Sequence, residues 1–244
     1  MSSSPVVTVP AMMKRIIPAI ATRGRILTML IFGFVPVVLG FFINRAQRDN
    51  PRRDDFEPAE LLSAFSLTIY VPLVVLVFAA ATLGTLREER TLVYFWLRPI
   101  GRWQIAVAAL LSAWIVLLPL VTIPTAIFAL VMGDGDDLVG VLSASVVGVI
   151  AYGAVFTLLG LFTQRALVWG LVYILVWEGF IGGLSETAGR FSIRSYTRSM
   201  LSQITDVPLL DNPQSIVTVV LVTVFVAIAA IGLTSLTLNR MEID

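Results

Sequence analysis

Apolar residues along this chain gather into long runs, parted by short polar and charged interruptions. A helix needs about 20 mainly apolar residues to cross a bilayer core, and six runs reach or approach that length. They lie at residues 26–43, 61–86, 105–132, 140–162, 167–183 and 216–238. The pattern predicts an all-α, polytopic membrane protein: a six-helix transmembrane domain over 26–238, flanked by residues 1–25 and a tail at 239–244. The fifth run is short and is the only one that carries a charged residue, Glu178.

Two segments outside the runs have an amphipathic period. From Ala11, AMMKRIIPAIATRGR sets Met12, Met13, Ile16, Ile17 and Ile20 among Lys14, Arg15, Arg23 and Arg25. This predicts an interfacial helix that Pro18 should break or kink. A secretory signal peptide is the rival reading. It fits less well, because the run at 26–43 is long for such a segment and no small-x-small site follows Phe41, Phe42 and Ile43. Between 184 and 215, Ile193, Tyr196, Met200 and Ile204 share one helical face, while Arg190, Arg194 and Arg198 form a ridge at i, i+4, i+8. That helix would lie on a leaflet with its arginines on lipid phosphates, or it would gate an anionic substrate.

Composition narrows the function. The 244 residues are 57% hydrophobic and only 14% charged, against roughly 25% charged in soluble domains. Cysteine and histidine are both absent, which removes disulfides, thiolate metal sites and the usual general base. With one carboxylate in the runs, the common catalytic pairs cannot be assembled within the spans, so an intramembrane enzyme is disfavoured. A net charge of +1 gives no support to a nucleic-acid partner. The one lysine, Lys14, follows Met13, so a GxxxxGK[ST] phosphate-binding loop is missing and the chain has no ATPase motif of its own.

Arginine and lysine placement sets the expected orientation. With the N-terminus inside, the cytoplasmic segments hold ten basic residues against seven outside. The acidic loop 133–139 and the basic, acid-free flank before the first run agree with it, placing both termini in the cytoplasm. On that side lies the loop 87–104, REERTLVYFWLRPIGRWQ. Its six apolar residues, Leu92 to Leu97, would rise only about 9 Å and cannot cross. They predict a short surface helix offering Leu92, Tyr94, Phe95 and Trp96 either to lipid or to a docking protein.

Within the runs, Pro36, Pro72, Pro119 and Pro124 each free backbone groups that neighbouring helices or water must satisfy. Ala80 with Gly84, and Gly179 with Gly183, would let helices approach closely. Glu178 either pairs with an arginine of the 184–215 loop or marks a polar point on a substrate path or at a helix interface. A candidate path runs through Phe65, Tyr70, Tyr173, Trp177 and Glu178; its apolar, aromatic character suits an amphipathic or lipid-like cargo.

The segment EERTLVYFWLRPIGRWQI resembles the region after the second helix of ABC-2 type permeases, the membrane subunits of ABC exporters. The matching positions are Glu88, Glu89, Arg90, Thr91, Leu92, Arg98, Pro99 and Arg102, with Arg90 where that family often has glycine. VYILVWEGFIGGL followed by SIRSYTRSM is similar to a pattern in permeases of actinobacterial type. The resemblance implies a coupling helix, Tyr94, Phe95 and Trp96 included, that docks into a separate nucleotide-binding subunit. It further implies a homodimer of this chain, two ATPase copies carrying ATP and Mg, and a bacterial cytoplasmic (inner) membrane. No cofactor is expected on the chain itself, and membrane lipid is the remaining partner. The rival class is a membrane-anchoring or assembly protein that recruits a cytoplasmic partner without a transport cycle.

Overall fold

The computed structural model of the chain describes residues 5–49, 60, 62–88, 101–132, 137–181 and 189–240. All regular structure among them is helical. α1 (Pro5–Ile20) and α2 (Arg23–Asp49) are followed by a π-helical stretch, Leu62–Tyr70, that runs on into α3 (Val71–Glu88). Then come α4 (Arg102–Met132), α5 (Leu138–Phe162) and α6 (Ala166–Val172), which continues as a second π-helical stretch, Tyr173–Ile181. α7 (Ile193–Thr205) and α8 (Ile216–Arg240) complete the chain.

Five helical segments are long and apolar enough to cross a membrane: Arg23–Arg45, Ser63–Gly84, Arg102–Met132, Leu138–Phe162 and Ile216–Arg240. They coincide with five of the six expected runs. The remaining one, expected at 167–183, is a shorter apolar helix, Ala166–Phe180. At 1.5 Å per residue it rises about 22 Å, short of a core of about 30 Å.

The core is built around α5, which packs against α3, α4, α6, α7 and α8. Small residues set its closest seam. A Cβ added to Gly160 would overlap the Ala80 backbone carbonyl, and one added to Gly84 would lie 3.7 Å from the Gly160 carbonyl oxygen. The Ala80/Gly84 pair thus works through a third small residue on the facing helix, as close helix packing in membranes requires. By contrast α2 and α8 keep large apolar side chains outward, among them Leu27, Ile31, Phe42, Val217, Leu221, Phe225 and Ile228. On a soluble protein so large an apolar surface would drive association; on membrane helices it is the face acyl chains cover.

The prolines act locally. Pro124 has no N–H for the carbonyl four residues back, which belongs to Leu120. The Tyr70 hydroxyl donates to that oxygen across the helix interface at 2.7 Å. Pro72 sits where the π stretch ends and α3 begins; its ring would crowd the Thr68 carbonyl, and the wider preceding turn relieves that contact. No proline accompanies the second π stretch.

Both amphipathic segments are helices: α1 turns its expected apolar face onto protein rather than a leaflet, and α7 buries a face other than the one expected. α1 is continuous through Pro10 and Pro18 and ends two residues beyond the latter, so Pro18 does not break it. Its Met12, Ile16 and Ile20 are buried at 0–3% exposure in one cluster with Leu83 of α3, Ile105, Ala108 and Ala109 of α4, Leu161 of α5 and Leu238 of α8. They meet protein at one end of the bundle. α7 packs on α5 through Thr197, Leu201 and Thr205, a stripe rotated away from the Tyr196–Met200 edge, while buried Ser199 and Ser202 are held by the chain that returns along α7. Gly140 and Gly148 of α5 make room for it: a Cβ at Gly140 would come within 2.7 Å of Thr205, and one at Gly148 would lie 3.3 Å from Thr197.

Candidate functional site

The loop expected to dock a partner is described only at its borders. α3 ends at Glu88, and α4 opens with half-buried Arg102. Glu89, Arg90, Thr91, Leu92, Tyr94, Phe95, Trp96, Arg98 and Pro99 lie outside the described residues. What is described is how the borders are held. Leu83, one turn before the loop, and Ile105, Ala108 and Ala109, just after it, share the cluster that α1 fills.

Away from that cluster, near the middle of α5, a polar site is built around Glu178. This carboxylate is 2% exposed. Tyr152 of α5 donates its hydroxyl to Oε2 in a short hydrogen bond. Tyr173 donates to Oε1 at 3.2 Å, and the backbone N–H of Ile193 donates to the same oxygen at 3.1 Å. The meeting of Tyr173 with Glu178 depends on the π conformation. In an α-helix, residues five apart point about 140° away from one another; the wider π turn brings them to one side.

The bond from Ile193 has a further meaning. Ser192 stands at the N-cap of α7 in an extended conformation, yet its side chain makes no capping bond. Glu178, from another segment, takes over that role. A helix N-terminus presents unpaired N–H groups and a partial positive charge, so a carboxylate there is favoured on both counts. The positive charge of Arg194 acts on the same carboxylate.

A cavity of about 470 Å³ opens beside the first turns of α7. It is lined by Glu60, Ser63, Ala64, Thr68, Arg194, Arg198, Pro208 and Leu209. Arg198 donates Nη2–H to the Leu209 carbonyl at 2.9 Å. Its Nε is buried without a hydrogen-bond partner among the described residues. Burial, and then the like charge of Arg194, lower the pKa of the Arg198 guanidinium from its ordinary value. The chain returns along α7 through the turn at Asp206, whose φ of 56° is left-handed, and is tied there by Ser202 Oγ to the Val207 carbonyl and by Gln214 N–H to Ser199 Oγ.

The expected site residues therefore separate. Tyr173 and Glu178 meet, joined by Tyr152. Phe65 and Tyr70 face elsewhere: both rings pack on Phe32 of α2, at 6.1 and 5.8 Å between centroids, and Tyr70 bonds to α4. Trp177 is half-buried. None of these five lines the Arg194–Arg198 cavity. Of the arginine ridge, Arg194 and Arg198 share that cavity, whereas Arg190 is exposed in the turn before α7 begins. Sequence reasoning missed Tyr152. A phenol hydroxyl buried in an apolar run must find a partner, and that was the available signal. Glu60, Ser63 and Thr68 carried none.

No protein-family model matches this chain, nor does any curated protein or solved structure.

Proposed function

We propose that this chain is the permease subunit of an ABC-2 type exporter, powered by a separate ATPase that seats on the loop 87–104. In this reading the shorter helix Ala166–Phe180 completes six spans, and both termini and the loop face the cytoplasm of a bacterial cell. Two copies of the chain form the pore, and two ATPase copies, holding ATP and Mg, bind beneath. The cargo is amphipathic or lipid-like.

One observation carries the reading furthest. α1 inserts Met12, Ile16 and Ile20 among Leu83, Ile105, Ala108 and Ala109, the residues that border the loop on both sides. α3 and α4 are thereby gripped together where a partner would push. Packed side chains transmit displacement because close-packed interiors resist compression. A force on the loop would therefore move both helices as a unit. ATP-driven closure of the ATPase pair would supply that force and bias an inward-open against an outward-open arrangement.

The test is a triple variant with Tyr94, Phe95 and Trp96 changed to alanine. It should insert and purify like the parent but lose co-purification of the ATPase. Undiminished co-purification would overturn the proposal. If the ATPase binds but hydrolyses no faster in the reconstituted complex, the chain is an anchoring protein instead.

A further inference from the structure

The cavity beside α7 has a chemistry that neither helix packing nor ATPase coupling uses. Arg194 and Arg198 stand one turn apart on α7 and line the same space. Two guanidinium groups side by side in a half-buried pocket repel each other unless an anion lies between them. Arg198 has Nη2 committed to Leu209, which fixes its guanidinium at the cavity wall. Two guanidinium groups on one wall suit phosphate oxygens.

The local charges narrow the ligand. Glu178 already accepts from Tyr152, Tyr173 and Ile193, and its charge offsets part of that on Arg194. Glu60 stands exposed on the cavity wall, a carboxylate facing two cations. A dianion would meet Glu60 as a like charge. A molecule with one phosphate charge and one ammonium charge satisfies both ends.

Depth points the same way. Ser63, also on the wall, falls near the start of the apolar run 61–86, so the cavity lies toward one end of that membrane-crossing segment. Its volume of about 470 Å³ falls within the range of roughly 300–1,000 Å³ of small-molecule sites.

We infer that this cavity binds a zwitterionic phosphodiester, with the phosphate on Arg194 and Arg198 and the ammonium at Glu60. A phosphoethanolamine lipid headgroup and a soluble glycerophosphodiester share that chemistry.

The test uses the full chain in detergent micelles and follows retained lipid by native mass spectrometry. Phosphatidylethanolamine should be retained about ten-fold better than diacylglycerol, which lacks the phosphate, and Arg194→Gln should erase most of that difference. Glu60→Gln should weaken phosphatidylethanolamine while leaving phosphatidylglycerol unchanged, since only the former carries an ammonium group. Glu60 is exposed, so this variant keeps the test decisive if Arg194→Gln fails to fold. Displacement by soluble glycerophosphoethanolamine at matched concentration would identify a soluble ligand; resistance to it would identify the lipid. Equal retention of phosphatidylethanolamine and diacylglycerol, or retention indifferent to the variants, would overturn the inference.

Discussion

Glu178 fastens three pieces of chain with one side chain: α5 through Tyr152, its own π turn through Tyr173, and α7 through Ile193. A carboxylate withdrawn from water is tolerated only when its oxygens are satisfied, and here three donors and a helix N-terminus share the task. Removing the Tyr152 hydroxyl leaves the charge short of a donor at full burial. Tyr152→Phe should therefore lower stability by about 1.5–3 kcal/mol. Tyr173→Phe, which removes a longer bond at a half-buried ring, should cost less. Unfolding in detergent would rank the two, and a larger loss at Tyr173 would contradict this account. In the sequence Glu178 stood out as the charged residue in an apolar run. Its partners were hidden for a physical reason: α-helical geometry sets Tyr173 on another face, and Tyr152 is 26 positions away.

At the scale of single helices, the apolar runs were legible because bilayer thickness dictates their length. The finer readings failed where tertiary contacts overrode local pattern. α7 buries Thr197 against Gly148 of α5, and Ser199 and Ser202 under the returning chain they bond to; such residues are silent in a count of apolar positions. The demand that each proline's freed carbonyl find a donor was legible, but the donor was not. Tyr70 meets it for Pro124. This makes the pair separable by a double-mutant cycle. Tyr70→Phe alone should cost about 1–3 kcal/mol by stranding the Leu120 carbonyl. In a Pro124→Ala background, the restored N–H at 124 can take over that carbonyl, and the same change should cost markedly less. Strict additivity in unfolding measurements would refute the link.

Taken whole, the molecule has two differently built regions: an apolar cluster around α1, and the polar assembly around Glu178 and α7. A charge placed in the first should loosen α1 without touching the spans. Ile16→Asp, at a position 2% exposed, should speed tryptic cleavage after Lys14 and Arg15 by at least about ten-fold. Protection of the membrane-crossing helices should be unaffected, and an unchanged cleavage rate would show that the cluster does not hold α1. The α1 cluster also imposes an order on biogenesis. It joins residues near position 12 to Leu238, which the ribosome adds more than two hundred codons later. α1 therefore has no completed seat until α8 has been inserted. A chain truncated within its final span would leave Met12, Ile16 and Ile20 uncovered, giving quality-control proteases a greasy handle that marks unfinished copies for removal.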